Sequence, residues 1–442
     1  MKRLLNSHTR GQSGISMVVL AVAIIGVLAF SLDVGYTYYI RRWAQNTADS
    51  GALAAARELC IDHNPVTRFT TATNSAVDYV ESKNLAYGVN SQTLTNITFH
   101  PDAGLEEDEV QVEIAINHPN FVANFFGLES TTVPASAAAA CFAPGVAIGQ
   151  GVLPLAWGCQ KILGAGWDQE CDISYVFEDS NCELGVDTRY IFIQQPGADC
   201  TDPNKPAFIC AGDPIPPGCD PLGVQELDCG AGDPAIGPGK LILADSADPL
   251  GWAWVDLDGG NIDADELEDW VIGGPQVEVI SHEWLFGMGS TTSKVYHAVY
   301  EYHLNKDVII PIFDDECQSC DPEFSASCGC TDICDWHADI PDEKKLADGS
   351  NCNTPYYHLR TFGLYTIKCV DKPGVSCLDF DPSSYYSARE VIEELNPVLP
   401  NNVPWSKINS IEGCFKGGFH TGLHGKPEDG VDAGAWTLYL TR

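Results

Sequence analysis

Residues Ile15 to Leu32, ISMVVLAVAIIGVLAFSL, contain no charged side chain and only two polar ones, the hydroxyls of Ser16 and Ser31. Eighteen residues of helix rise about 27 Å, enough to cross the hydrocarbon core of a bilayer with little tilt. Lys2, Arg3 and Arg10 precede the run, and Asp33, Arg41 and Arg42 close it. A cleaved secretory signal shares the basic lead and the apolar run. This run, however, is longer than a typical signal core, and no small-x-small cleavage site stands near Asp33. Helix-favouring residues continue through TYYIRRWAQNTADSGALAAAREL, with no proline before Pro65. A retained anchor is the expectation, and the basic flanks argue against a buried core helix.

Every one of the 18 cysteines follows this run. Disulfides persist in oxidising compartments, so the bulk of the chain is expected outside the membrane and the N-terminus inside. The basic residues lie on both sides of the run and leave the orientation open by themselves. An even cysteine count allows complete pairing, although spacing alone does not give the connectivity. Lys and Arg number 24 against 61 Asp and Glu. Nucleic acid and anionic membrane surfaces both demand basic patches, so neither is expected as a partner. An acidic chain fits a soluble exterior module or one that meets divalent cations.

Five segments follow in order: a leader at 1–14, the membrane helix at 15–32, an α+β domain at 33–145, a Cys/Pro/Gly-rich segment at 146–240, and a β-rich domain at 241–442. The helix is expected to run on to about Leu59. Its small-residue face (Ala44, Ala48, Gly51, Ala52, Ala55) either packs closely against a neighbour or simply favours helix. A second helix is predicted over 66–82 behind Pro65. Period-two patterning then marks strands around Leu94, Ile97 and Phe99, and along Val110–Ile116. A short aromatic helix, NFVANFFGL, ends at Gly127, and Thr131–Cys141 reads as a small-residue strand. Residues 146–240 lack apolar runs and space their cysteines about every ten residues, so cross-links are expected to order them. From Leu241 the runs LILA, GWAWVDL, QVEVI, KVYHAVYEYHL, DVIIPIF and YYHLRTFGLYTIKCV predict a mostly antiparallel sheet or sandwich. ADELEDWVIGG is predicted as one short helix within it.

The opening GQSGISMVVLAVAIIGVLAFSLDVGYTYYIRRWAQNTADSGALAAA resembles the N-terminal segment of TadE/TadG-like proteins of the tight-adherence (Flp) pilus. The landmarks are Gly11, Gln12, Asp33, Val34, Gly35, Gln45, Asn46, Ala48 and Asp49. VQVEIAINHPNFVANFFGLESTTVPASAAAAC is similar to the strand, FF-helix and alanine strand that follow in such proteins, so the likeness covers roughly 145 residues. It extends, more loosely, to the order of WVDLDGG, acidic helix, VIIPIFD and IEGCF near the C-terminus. The resemblance implies a pilin-like α+β domain on an inner-membrane anchor, with extracytoplasmic assembly partners and no catalysis. Two features depart from the family. A prepilin peptidase site needs glutamate five places after a glycine, where this chain has Ser16 after Gly11 and Val19 after Gly14. The Asp-x-Ser-x-Ser metal motif of von Willebrand-type domains is missing its last serine in Asp381-Pro-Ser-Ser-Tyr.

Candidate chemistry is sparse. Asp256-Leu-Asp-Gly-Gly-Asn-Ile-Asp-Ala-Asp-Glu266 has the oxygen density of a calcium loop, with Asp256, Asp258, Asp263 and Glu266 as candidate ligands. Placing Asp256 and Asp258 at the first and third positions leaves Glu266 one residue short of the twelfth. The competing reading is an Asp-rich turn leading into an acidic helix N-terminus. Cys317, Cys320, Cys328, Cys330 and Cys334, beside His337, are dense enough for zinc, but outside the membrane they read as a disulfide knot with Cys352. Histidines 282, 297, 303, 358, 420 and 424 join no metalloprotease or nucleophile-elbow motif. No catalytic residue is assigned.

The expected molecule is therefore α+β: a single N-terminal membrane helix, a pilin-like domain and a disulfide-rich β domain. It would serve a Tad-type pilus or related apparatus through contacts with lipid and with other assembly or surface proteins. The alternative is a calcium-dependent adhesin, or an anchored secreted enzyme, using the 256–266 loop.

Overall fold

The computed structural model describes residues 9–61, 66–83, 92–101, 108–159, 188–194, 200–204, 207–210, 215, 219–227, 241–245, 251–258, 262–288, 291–319, 354–371, 409–420, 422–424 and 435–440. Two compact units result: Met1–Cys141 with Leu438–Arg442, and Phe142–Thr437.

The first unit is built on α1 (Thr9–Ile61), one uninterrupted helix of 53 residues. Its absence of proline and wealth of Ala and Leu allow that length. Every large apolar side chain from Met17 to Leu32 is exposed. From Ile40 onward the same helix buries one face. Helix α2 (Arg68–Val77) follows and passes into a π-helical turn at Asp78–Lys83. Strands β1 (Gln92–Pro101), β2 (Asp108–Pro119) and β3 (Ser130–Phe142) form an antiparallel meander, with a bulge in β1 between Leu94 and Asn96.

Alternate residues Val110, Val112, Ile114 and Ile116 point inward from β2, as period-two patterning requires. They meet Ala44, Ala48, Ala52 and Ala55 of α1 in one core. The neighbour that the small-residue face accommodates is thus the unit's own α2 and β2. A β-carbon at Gly51 would come within 2.8 Å of Val80 Cγ2, so glycine leaves room for that side chain. A disulfide joins Cys60, at the end of α1, to Cys141, at the end of β3, across 6.0 Å between Cα atoms.

The second unit holds β4 (Val146–Ala147), β5 (Leu155–Gly158), β6 (Arg189–Gln194), β7 (Ala207–Cys210), β8 (Val224–Leu227), β9 (Leu241–Asp245) and β10 (Trp252–Val255). Helix α3 (Ala264–Gly273), β11 (Val279–Ile280), β12 (Trp284–Met288) and helix α4 (Ser293–His303) come next. Strands β13 (Asp307–Ser319), β14 (Thr354–Asp371), β15 (Asn409–Lys416), β16 (Gly418–Phe419) and β17 (Leu423–His424) complete it. The main sheet runs β12-β10-β5-β13-β14-β15-β6-β9 and is antiparallel except at β5–β13 and β6–β9. Strand β12 also pairs with β14, so β5, β10, β12, β14 and β13 close into a ring. Trp157, Trp252 and Trp254 are buried in the core beneath, with Phe192 and Tyr365. A last strand, β18 (Ala435–Leu440), lies beside β3 in the sheet of the first unit, and its Leu438 packs against that unit's core.

Two expectations are corrected here. KVYHAVYEYHL is not a strand but helix α4. Its buried residues Val295, Tyr296, Ala298, Val299 and His303 recur at helical spacing, and that periodicity overrides the β-branched and aromatic composition. Residues 146–240 were expected to hold no core-forming run. Yet every residue of β5 and of β6 is buried in the main sheet. Four consecutive apolar residues, Tyr190 to Ile193, suffice for a strand covered on both faces. QVEVI shortens to the two-residue β11.

Candidate functional site

The first site of interest lies where the apolar run of α1 ends. Asp33, one residue past Leu32, accepts hydrogen bonds from the backbone N–H groups of Phe121, Val122 and Ala123 at 2.7–3.2 Å. These donors open the 3-10 turn Ala123–Phe126, whose far end turns through Gly127 at a φ of 85°. Burial opposes ionisation of Asp33, but the three N–H donors and His118 outweigh it and hold the carboxyl below its ordinary value. Tyr36 packs edge-on against both His118 and Phe121, and Thr37 Oγ1 lies 3.4 Å from the buried His118. One turn of α1 therefore grips the loop between β2 and β3.

Further along, Gln45 Nε2 donates to Asp49 Oδ1 at 2.8 Å and to the Ser136 carbonyl of β3 at 2.9 Å. Asp33 and Gln45, recognisable from sequence only as family landmarks, tie the helix to the β2–β3 loop and to β3, and Asp49 positions the Gln45 amide. The roles of Asp33, Gln45 and His118 were not legible, because each has a partner about 80 to 90 residues away.

Within the acidic loop, residues 259–261 lie outside the described residues, whereas the four candidate carboxylates are described. Asp256 is buried and its Oδ1 accepts from the Asp258 N–H at 2.9 Å, closing a turn. Asp263 is the N-cap of α3, accepting from the N–H groups of Asp265 and Glu266 at 2.8 and 2.9 Å. Glu266 Oε2 is buried without a hydrogen-bond partner. Burial first, then Asp258, Asp256 and Asp263, raise its carboxyl above the ordinary value. The four carboxylates thus feel one another, but among the described residues no three His, Cys, Asp or Glu side chains come together as a metal-holding group. The C-terminal end of α3 is capped at Gly274, one residue beyond the expected glycine.

The histidines are scattered. His303 Nε2 sits 2.5 Å from the Val271 carbonyl, tying the end of α4 to α3, and burial lowers its pKa. Lys294 of α4 pairs with Asp265 and, at 3.4 Å, with Glu268 of α3. His358 Nδ1 lies 2.6 Å from Asp314, which Arg360 approaches at 3.7 Å. His282, at a φ of 67°, stacks obliquely on His358 with ring centres 5.9 Å apart. His420 Nδ1 accepts from the Gly422 N–H, while His297 and His424 are exposed beside Glu301 and Glu278. Each is explained by local packing or pairing. His337, Cys320, Cys328, Cys330, Cys334 and Cys352 fall outside the described residues, as does the side chain of Cys317. The eight cysteines with described side chains (60, 141, 159, 200, 210, 219, 369 and 414) are all disulfide-bonded.

A long helix with an exposed apolar first half and a packed second half, beside a disulfide-bonded α+β body, is compatible with a single-pass membrane protein. Among the described residues α1 is the one helix long and apolar enough to cross a membrane. Residues 11–58 match the TadE/G-like Flp pilus-assembly family, so the N-terminal segment carries a domain of that type. The match ends inside α1 and does not reach the aromatic loop or the second unit. No curated protein and no solved structure matches the chain.

Proposed function

We propose that this chain is a single-pass, membrane-anchored assembly component of a Tad-type pilus or related surface apparatus, with its two folded units outside the cytoplasmic membrane. It works through protein–protein contacts rather than catalysis. The observation that carries the reading is the division of α1. Residues 17–32 expose an unbroken apolar surface, whereas residues 40–60 of the same helix build a core, within a segment of the TadE/G-like type. Burying such a surface in lipid is favourable at about 25 cal/mol per Å². Disulfide-bonded cysteines throughout both units support the oxidising side of the membrane.

Protease treatment of spheroplasts tests this. Both units should be digested from outside while the anchor peptide stays with the membrane fraction. A chain protected from protease, with its thiols reduced, would overturn the proposal. The leader is proposed to be retained, since neither glycine before the span has the processing residue. An intact mass beginning after Gly11 or Gly14 would contradict that.

A further inference from the structure

The loop between β2 and β3 exposes four large apolar side chains, Phe121, Phe125, Phe126 and Leu128. Phe125 and Phe126 are 89% and 82% exposed, more than any apolar residue of the span itself. Soluble monomers rarely leave such adjacent aromatic tips facing water. The height of this loop along α1 is set by the Asp33 carboxylate, which binds the backbone of residues 121–123 directly after the last apolar residue, Leu32. Tyr38 and Tyr39 are exposed on the next turn, and Tyr36 touches Phe121. Tyrosines collect at the membrane–water interface, where a ring can sit in apolar surroundings with its hydroxyl wet. The phenylalanine patch is therefore held at the level where the span leaves the hydrocarbon, continuous with the span's own exposed surface.

We infer that residues 121–128 form a second membrane contact, a phenylalanine-tipped loop that enters the boundary between acyl chains and headgroups beside the anchor. The inference rests on the anchored reading of 15–32. Its occupant is the apolar part of the lipid: residues 120–130 contain no Lys or Arg, and Glu129 adds a negative charge. Two points of attachment, one spanning and one interfacial, fix the rotation of the first unit about the membrane normal.

The test uses the full chain reconstituted in phosphatidylcholine vesicles. The photoreactive residue p-benzoylphenylalanine replaces Phe30, Phe125, Phe126 or the exposed Val66, which lies in the first unit past the far end of α1, one at a time. Lipid adducts are expected at 30, 125 and 126, with none at 66. An adduct at 30 without one at 125 or 126 overturns loop insertion and leaves the anchor standing. Adducts to a second copy of the chain at 125 and 126, in place of lipid, overturn it in favour of self-association. Equal lipid labelling at 66 and 125 overturns it as well. No adduct at 30 overturns the anchored reading on which the loop depends.

Discussion

Arg189 of β6 and Glu412 of β15 lie 3.9 Å apart, with side chains 2% and 0% exposed. Each charge lost several kcal/mol of hydration on folding, and removing one partner takes away the opposite charge that offsets this cost for the other. Arg189→Ala or Glu412→Ala should lower the unfolding free energy by about 3–5 kcal/mol. The paired change Arg189→Met with Glu412→Leu should cost much less, because both buried charges are removed together. Urea unfolding of the detergent-solubilised protein measures all three. Equal losses in the single and double variants would contradict the account.

The Cys60–Cys141 bridge closes a sequence separation of 81 residues, joining the first helix to the third strand. Long loops gain most from closure, because the unfolded chain loses more freedom. Replacing both cysteines by alanine should destabilise the first unit by about 2–5 kcal/mol. Thermal unfolding followed by helix circular dichroism would register it, and an unchanged midpoint would argue that the alanine core alone suffices.

His303 is held neutral by burial, with its folded pKa below the ordinary 6.5. In the unfolded chain it takes a proton near that ordinary value, so the unfolded state binds more protons in the window beneath it. Stability from this site is fully present above pH 6.5 and is lost as pH falls towards the folded value. His303→Gln should flatten that part of the stability–pH curve. Denaturation at several pH values between 7 and 5 provides the check, and identical slopes in both proteins would refute it.

At the acidic loop the sign reverses. Glu266 has its carboxyl raised above the ordinary 4.5, so its ionised form opposes the fold. Stability falls as pH rises through that value, and Glu266→Gln should gain a little at neutral pH. The gain is about 1 kcal/mol at most, since part of the side chain meets solvent that screens it. Millimolar calcium should leave the melting temperature unchanged. A rise of several degrees would instead assign Asp256, Asp258, Asp263 and Glu266 to a bound ion.

Asp33→Ala removes the single acceptor for three loop N–H groups. Hydrogen exchange of Phe121, Val122 and Ala123 should accelerate, while the paired amides of β2 remain protected. Unchanged exchange at those three amides would show that another group holds the loop.

Much of the first unit could be read from residue pattern. The charge-free run, the alternating Val110–Ile116 and the glycine ending the FF turn each report a local preference, and local preference decided the outcome. The second unit was less legible for two reasons. In α4, tyrosine, valine and histidine carry strand-like composition on a helical period, and tertiary burial of one face settled the contest. In β6, a buried strand of six residues is too short to stand out from a glycine- and proline-rich background. At the sites, an Asp-rich turn leading into an acidic helix start was legible as the alternative to a calcium loop, but the capping role of Asp263 was not. Nor was the grip of Asp33 on the loop, because nothing near Asp33 in the chain announces a partner at residue 121.

The position of β18 carries a consequence for how the molecule matures. The sheet of the first unit receives β18 only after residues 142–434 have been synthesised. Until then β3 offers an unpaired edge and the alanine core lacks the cover of Leu438. The first unit is thus begun first and finished last, so a stalled or clipped chain would betray itself by an open edge on β3, where quality-control proteases could act on it.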